Sequence, residues 1–291
     1  MSVINSLLST TNGLLRKVAQ ILPQRSPVRV ALSNGWTTML SGIKTGVAIP
    51  MGSRSIQVLP RFRNLSPSYE AETFAVWLKL LRPGDVVWDI GANIGVYTIL
   101  SGQIVGQEGA IDCWEPTPDS YESTCKHIEL NGLAGFCKAH QAAVSSSDGG
   151  TMPFSIVGGK GTDPTNRLGS TQGTTIDIPI ESMDGILGRS NRKPNYIKID
   201  IEGAEVFALR GAEKVMTETR PTILIAVHPM FLPEFDCDAE EIAETISSHD
   251  YVTFNMNGQL CQPVEYSEYL LVPSERVPHV RRKLGWENIT S

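Results

Sequence analysis

The chain has 291 residues, enough for one large α/β domain with an N-terminal extension or for two small domains. Its 25 Lys and Arg residues and 31 Asp and Glu residues leave a net charge of −6, which argues against sequence-independent binding to nucleic acid, because such binding needs a basic surface. The apolar runs all fall short of the roughly 20 residues that cross a bilayer, and the 5 cysteines lack C-x-x-C spacing, so we expect reduced thiols in a cytoplasmic protein.

The first part of the chain, residues 1–65, is interpreted as an extension or cover, and residues 66–291 as the main domain. Apolar residues recur at mostly helical spacing in residues 1–22. Such a stripe can pack on the main domain, pair with a partner or lie on a membrane surface, and packing is its commonest use. The next predicted elements are β-like runs at 28–32 and 56–59 and a helix over 66–81, with Ser66 as N-cap and Pro67 in its first turn.

A buried strand, a tight loop and a helix start are predicted next. The apolar run at 86–90 contains Asp89 near its end, and the turn after it contains Gly91 and Gly95. This order is typical of the first half of a nucleotide-binding βαβ unit, in which glycines let the backbone approach a ligand. The loop lacks the dinucleotide fingerprint, because Asn93 stands at the middle glycine position. The Asp89 carboxylate would repel a pyrophosphate and attract an ammonium, such as that of S-adenosylmethionine.

The second predicted strand also ends in an acid. Glu115 lies 115 − 95 = 20 residues beyond Gly95, and an acid at this distance accepts hydrogen bonds from ribose hydroxyls. A helix over 118–132 and a third strand within 136–144 follow. We place Ala143, near the end of that strand, beside the adenine-binding edge that an open α/β sheet provides.

The remaining predicted elements complete an α/β sheet. Residues 151–180 hold two β-like runs around a loop rich in Gly, Thr and Asn, and a loop of this length is usually functional or mobile. The later elements are a strand at 195–200, a helix at 204–219, a strand at 222–227, a helix at 239–249, and strands at 251–255 and 268–272.

The polar residues at the strand ends are the candidates for chemistry. Asp200 is the first candidate to take a proton, and Lys198 lies on the same side of its strand. A lysine within a central strand needs a partner, which Asp200 or Asp184 can supply. The alternative is a structural ion pair that holds the strand end without reacting.

Two further residues extend this candidate site. Glu202 either caps the following helix or contacts the substrate. His228 ends the fifth strand, where a neutral imidazole can accept a hydroxyl proton or play a structural part. Asp200, Glu202 and His228 together can hold a divalent metal that orients a diol, but their spacing is not diagnostic, so we predict no metal ligands.

These motifs together resemble the FkbM-type methyltransferases. The resemblance lies in Asp89–Gly95, Trp114–Pro116, Leu130–Asn131, Ile197–Glu205 and Leu209–Ala212, and it runs from about residue 69 to about residue 228. It implies a Rossmann-like class I methyltransferase sheet, mostly parallel with an antiparallel final strand, and S-adenosylmethionine as cofactor. One departure is visible: the family usually has a Glu two residues before His228, and here Ala226 stands there.

The resemblance also implies a small-molecule acceptor, with methyl transfer to a hydroxyl of a sugar, glycolipid or secondary metabolite. The alternatives are N-methylation and a non-catalytic binding module, which Ala226 alone favours. The acceptor and a further copy of the chain are the expected partners, together with whatever residues 1–22 contact. The predicted cofactor-binding residues are Asp89, Gly91, Ala92, Asn93, Gly95, Glu115, Pro116, Ala143 and Asp200; the predicted catalytic residues are Asp200, His228 and Lys198; the predicted substrate residues are Glu202 and His228.

Overall fold

The computed structural model describes residues 46–156, 167–168 and 174–289. The predicted helix in residues 1–22 and the predicted run at 28–32 lie outside the described residues. So does most of the predicted loop between the two β-like runs of 151–180. No helix in the described ranges combines the length and apolar character that a bilayer crossing requires.

A seven-stranded sheet forms the centre of the described structure, in the order β12-β13-β11-β10-β3-β4-β5. Strand β13 runs antiparallel to both of its neighbours, and the other pairs are parallel. The mostly parallel sheet with an antiparallel final strand is therefore confirmed. The described strands are β1 (Val47–Met51), β2 (Arg54–Val58), β3 (Val86–Ile90), β4 (Ala110–Trp114), β5 (Cys137–His140), β6 (Ala143–Val144), β7 (Thr151–Ile156), β8 (Arg167–Leu168), β9 (Thr174–Glu181), β10 (Tyr196–Ile199), β11 (Thr222–Val227), β12 (Tyr251–Phe254) and β13 (Ser267–Pro273).

Helices cover both faces of this sheet, which explains why the central strands are continuous apolar runs. Trp88 and Ile197 face one helical layer, while Val87 and Tyr196 face the other. Alternation along each strand therefore places Asp89 and Lys198 on the same face as Val87 and Tyr196. The described α-helices are α1 (Ala71–Leu80), α2 (Val96–Val105), α3 (Pro118–Leu130), α4 (Met183–Arg189), α5 (Glu205–Arg210), α6 (Ala239–Ser248) and α7 (Val277–Leu284).

The strand order reverses between β3 and β10, because the chain runs from β3 outward to β5 and then returns to build the other half from β10. Ligands in open α/β sheets bind beyond the carboxyl ends of the strands at such a reversal. The glycine loop follows β3, and Asp200 follows β10. The topology thus brings the two sequence motifs to one edge.

Helix α1 begins later than predicted. The sequence suggested a start at Ser66, but residues 67–70 form a turn and the helix begins at Ala71. The Ser66 hydroxyl accepts instead from the backbone N–H of Ser68 at 3.2 Å, a local bond that competes with the helical ladder. Glu70 then stands at the N-cap with a left-handed φ of 45°.

The helix predicted over 204–219 is interrupted. Helix α5 ends at Arg210, and a π-helical turn follows at Val215–Thr219. The cause lies in Asp184, whose backbone N–H donates to the carbonyl of Gly211 at 2.8 Å. The Asp184 carboxylate also accepts from the backbone N–H groups of Lys214 and Val215, so it starts the second turn separately. Helices α4 and α7 were not predicted.

A β-hairpin of β1 and β2 packs beside α3 and provides a pH-sensitive contact. The buried His127 ring accepts at Nε2 from the backbone N–H of Leu59 at 2.8 Å. Its Nδ1 lies 2.7 Å from the carbonyl of Ile94 in the glycine loop. Since Nε2 accepts, Nδ1 carries the proton and donates. The neutral ring thus ties the hairpin to the loop.

Because of His127, we expect the free energy of unfolding to decrease as the pH drops from about 6.5 to about 4. Burial lowers its pKa to about 4, so below pH 6.5 the unfolded chain binds a proton that the folded chain does not. The loss should reach up to about 3 kcal/mol. Glu115 acts in the opposite direction, because burial raises its pKa to about 7.

Comparing the pH dependence of stability in the wild type and in His127→Gln separates the effect of His127 from that of Glu115. Glutamine can donate and accept but does not titrate in this range. Urea unfolding at pH 7 and pH 4.5 should give a smaller loss for the variant. Equal losses in both proteins would contradict the assignment to His127.

Candidate functional site

The glycine loop after β3 has a backbone shape that two glycines permit. Gly91 and Gly95 both have φ of +79°, and Asn93 has φ of +49°. The backbone N–H groups of Gly91 and Ala92 both donate to the carbonyl of Trp114 at 3.0 Å. A Cβ on Gly91 would lie 1.8 Å from the carbonyl oxygen of Asp200. Gly91 therefore allows the loop to contact the end of β10 directly.

A cavity opens beside this loop at the carboxyl edge of the sheet. The loop, the end of β4 and the end of β10 line it, together with β6 and β7 of a second, four-stranded sheet with the order β6-β9-β7-β8. Among the predicted site residues, the cavity wall contains Gly91, Ala92, Asn93, Glu115, Pro116, Ala143, Lys198, Asp200 and Glu202. Asp89, Gly95 and His228 lie outside that wall: Gly95 is the N-cap of α2, and the other two are buried behind it.

Glu115 lies in the wall with its carboxylate already bonded to the loop. It accepts from the backbone N–H of Asn93 at 2.8 Å, and from the N–H and hydroxyl of Thr117 at 2.9 and 2.5 Å. Burial raises the pKa of Glu115 to about 7, although these hydrogen bonds oppose the shift. A carboxylate has about four acceptor positions, so one remains for a ligand hydroxyl.

Asp89 is fully buried beneath the loop. Its Oδ2 accepts from the hydroxyl of Thr98 at 2.6 Å, and its Oδ1 lies 3.8 Å from Nζ of Lys198. Burial raises the pKa of Asp89, while Lys198 and Thr98 act against that shift. The Asp89 carboxylate therefore faces Lys198 and does not line the cavity.

Lys198 lies at the centre of the charged groups. Its Nζ lies 3.2 Å from Oδ2 of Asp200 and donates to the carbonyl of Gly91 at 3.1 Å. Burial lowers the pKa of this amine, but the Asp200 and Asp89 carboxylates outweigh it and leave the pKa raised. Lys198 therefore keeps its proton and acts as a fixed positive charge. Asp184, the other partner suggested by the sequence, bonds to the backbone of Lys214 and Val215 instead.

His228 is held in place by a buried acid that the sequence did not single out. Its Nδ1 lies 2.9 Å from Oε1 of Glu205, whose side chain is fully buried. Its Nε2 lies 3.9 Å from Oδ1 of Asp200 and 3.7 Å from Oε2 of Glu202. Burial lowers the pKa of His228, but the three acids outweigh this and leave the pKa raised.

Glu202 does not cap the following helix, because the N-cap of α5 is Ala204 and it has no side-chain bond. Its φ of +52° is left-handed, and Gly203 follows with φ of +100°. This tight turn directs the Glu202 carboxylate toward His228. Burial raises the pKa of Glu202 to about 7, an effect that His228 opposes and Asp200 reinforces.

Sequence reasoning missed several groups that surround this cluster. Glu268 of β13 pairs in register with Ala226, and its pKa is raised by burial and by the charges of Glu70 and Asp200. Tyr266, which is exposed, lies with its ring centroid 5.3 Å from that of His228. Only the antiparallel register reveals Glu268, and a sequence pattern does not supply that register.

Comparison with known proteins identifies the family. The profile described as "Methyltransferase FkbM domain" matches residues 89–253, more than half of the chain. A hexuronic acid methyltransferase, AglP, from Haloferax volcanii is 23% identical over 184 residues, which are 63% of this chain and 72% of that protein. Methyltransferase 1 from Beauveria bassiana is 25% identical and covers 43% of this chain and 57% of its own length.

Among solved structures, a methyltransferase FkbM from Methylobacillus flagellatus is 20% identical with a TM-score of 0.45. The match covers 66% of this chain and 44% of that chain, so the present chain corresponds to less than half of that protein. The match of the family profile begins at Asp89 and includes the glycine loop, Glu115, Asp200 and His228. This chain therefore belongs to the FkbM methyltransferase family.

Proposed function

We propose that the protein transfers a methyl group from S-adenosylmethionine to a hydroxyl of a small molecule. The observation that carries the proposal is the position of Asp200, which lines the same cavity as Gly91 of the loop and Glu202. A cofactor held by the loop would thus lie next to a group that can take a hydroxyl proton. Family membership supports methyl transfer, and the site supports oxygen as the acceptor atom.

The residues of the cavity fit the cofactor. Glu115 retains one acceptor position for a ribose hydroxyl, and the Thr117 hydroxyl can rotate to free a second. The loop residues Gly91, Ala92 and Asn93 line the same cavity as Glu115, so the loop backbone can approach a cofactor bound there. When bound, S-adenosylmethionine supplies an electrophilic methyl group on a sulfonium centre.

The protein's own groups would manage the acceptor. Lys198 holds Asp200 at 3.2 Å and fixes its orientation. Asp200 is the group we propose to take the hydroxyl proton, because it lines the cavity, whereas His228 lies behind it with a raised pKa. General-base assistance of this kind contributes roughly 10²–10⁴ in rate. Alignment of the acceptor within the cavity supplies the other part of the acceleration.

The wall of the cavity and the relatives support a sugar-like acceptor. The aromatic rings of Tyr69 and Phe154 line the same cavity as the carboxylates of Glu115, Asp200 and Glu202, a combination that suits a hydroxylated ring with an apolar face. The relative AglP acts on a hexuronic acid, which supports sugars first. Glycolipids and secondary metabolites are further acceptors that we propose. We also propose that the protein forms a homo-oligomer. Whatever residues 1–22 contact is a separate partner.

Calorimetry with S-adenosylmethionine, followed by transfer of a labelled methyl group, tests the proposal. The acceptor panel should contain a neutral sugar, a uronic acid and an amino sugar. Methyl ethers in the product, detected by mass spectrometry and NMR, would support it. Methylation of the amino sugar at nitrogen alone would favour N-methylation, and tight cofactor binding without any transfer would favour a binding module.

Glu115→Ala should weaken S-adenosylmethionine binding at least tenfold, because a ribose hydroxyl loses a charge-assisted acceptor of about 1.5–3 kcal/mol. It should also lower the melting temperature of the free protein, since the backbone N–H groups of Asn93 and Thr117 lose their acceptor. Calorimetry and thermal unfolding measure the two effects. Unchanged affinity would place the cofactor elsewhere.

A further inference from the structure

The polar side-chain atoms of Asp200, Glu202 and His228 point toward one another and form a cluster. One ligand atom from each lies within 4.8 Å of the others. Two atoms bound to one divalent cation through bonds of about 2.0–2.6 Å lie at most about 4–5 Å apart. The three atoms therefore already lie near the separations that a shared cation would produce. Their chemistry, two carboxylate oxygens and one imidazole nitrogen, suits magnesium or manganese.

The buried imidazole supplies a second, independent observation. His228 is 5% exposed, and its Nδ1 is bonded to Glu205 at 2.9 Å. Its Nε2 points at two carboxylates from 3.7 and 3.9 Å, which is longer than a hydrogen bond. A histidine whose second nitrogen is held by a buried carboxylate is the usual arrangement behind a metal-bound imidazole, because the carboxylate fixes the ring and its tautomer.

The charges around the cluster also favour a bound cation. The two carboxylate oxygens of Asp200 have different partners: Oδ2 lies 3.2 Å from Nζ of Lys198, while Oδ1 faces Nε2 of His228. Glu202 and Glu205 add two carboxylates, and Asp89 adds another beneath the lysine. Four carboxylates thus surround one lysine and one imidazole. The turn that aims Glu202 inward contains a left-handed non-glycine residue with φ of +52°, a conformation with a cost of about 1–3 kcal/mol that functional sites tolerate.

We propose that Asp200, Glu202 and His228 bind one divalent cation, of the magnesium or manganese class, at the acceptor end of the cavity. The inference rests on the proposed function. Asp200 and Glu202 line the cavity, so a cation held between them would face the acceptor. Such a cation favours acceptors with two neighbouring oxygen donors, namely a vicinal diol or an α-hydroxy carboxylate.

Manganese binding to the full-length protein tests the proposal without any activity assay. Electron paramagnetic resonance counts free Mn²⁺ during a titration. We expect one bound equivalent, with the affinity reduced at least tenfold in Glu202→Gln and in His228→Gln. Glu213→Gln is the matched control, because it removes a carboxylate from another histidine pair, His249 with Glu213 at 2.8 Å. It should bind Mn²⁺ as the wild type does.

Thermal unfolding of each variant checks that it is folded, and calorimetry with S-adenosylmethionine separates the two proposals. If Mn²⁺ does not bind at millimolar concentration, or if neither Glu202→Gln nor His228→Gln weakens it, the cation site is wrong. The cluster would then be an imidazolium held by carboxylates. Among the described residues, the ion-pair partners of Glu202 and His228 are each other, Asp200 and Glu205, not the glycine loop, so cofactor affinity should stay unchanged in both variants. Absence of cofactor binding in the wild type would instead overturn the proposed function.

Discussion

Asp200→Asn should lower the turnover number by roughly 10²–10⁴, with little change in S-adenosylmethionine affinity. Asparagine keeps the shape of the side chain but cannot take the hydroxyl proton, and it offers one weaker oxygen to a cation. Asp200 also neutralises Lys198 at 3.2 Å, so the variant should leave that lysine with less compensation. Single-turnover measurement of methyl transfer to an acceptor identified in the panel reports the chemical step.

His228→Gln is the companion variant. His228 lies behind the cavity wall and contacts Glu205, so it should act on the cluster rather than on the acceptor directly. We expect a smaller loss of turnover than in Asp200→Asn if the cluster only positions Asp200. A different result would make both residues cation ligands: similar losses of turnover in the two variants, together with a wild-type activity that chelation removes and Mg²⁺ restores.

The control for these variants is Asp112→Asn, which removes the carboxylate of a histidine pair at the sheet edge, His140 with Asp112 at 2.8 Å. It should retain wild-type turnover. Near-normal turnover in both Asp200→Asn and His228→Gln would contradict the assignment. Catalysis would then depend on alignment of the reactants alone.

The sequence was sufficient to place several site residues at one edge of the sheet. Asp89, Glu115 and Asp200 each stand at the end of an apolar run, and parallel strands bring such ends together. The gathering of Glu115 and Asp200 around one cavity follows from that rule. Asp89 is at the same edge, but burial turns its carboxylate to Lys198 and Thr98. The sequence pattern predicts that a residue stands at a strand end, but it does not predict which groups the side chain contacts there.

The contacts between distant segments were beyond prediction. Glu205 bonds to His228 across 23 residues of sequence, and it follows directly after the left-handed turn at Glu202 and Gly203. Glu268 faces Ala226 only because of the register between β11 and β13. This places a carboxylate on the strand next to the position where the family usually has its own Glu. Periodicity shows which face a residue occupies, but the neighbouring residue depends on register and turns.

Gly91→Ala should destabilise the fold and weaken cofactor binding together. The new Cβ would lie 1.8 Å from the carbonyl oxygen of Asp200, at a residue with φ of +79°. Two backbone segments would have to separate, at a cost of about 2–4 kcal/mol, or a melting temperature lower by roughly 5–10 °C. The shift would also disturb the hydrogen bond from Lys198 to the Gly91 carbonyl, and with it the orientation of Asp200.

Gly84→Ala separates the steric effect from the backbone effect. Gly84 has φ of +86°, but a Cβ there would meet no atom within 4 Å. Both variants place alanine in the left-handed region, so the difference between their unfolding free energies reports the contact with Asp200. We expect Gly91→Ala to lose more stability and to lose S-adenosylmethionine affinity, while Gly84→Ala keeps its affinity. Equal losses of stability with intact binding in both would mean that the loop moves freely away from β10, and that Gly91 serves only the turn.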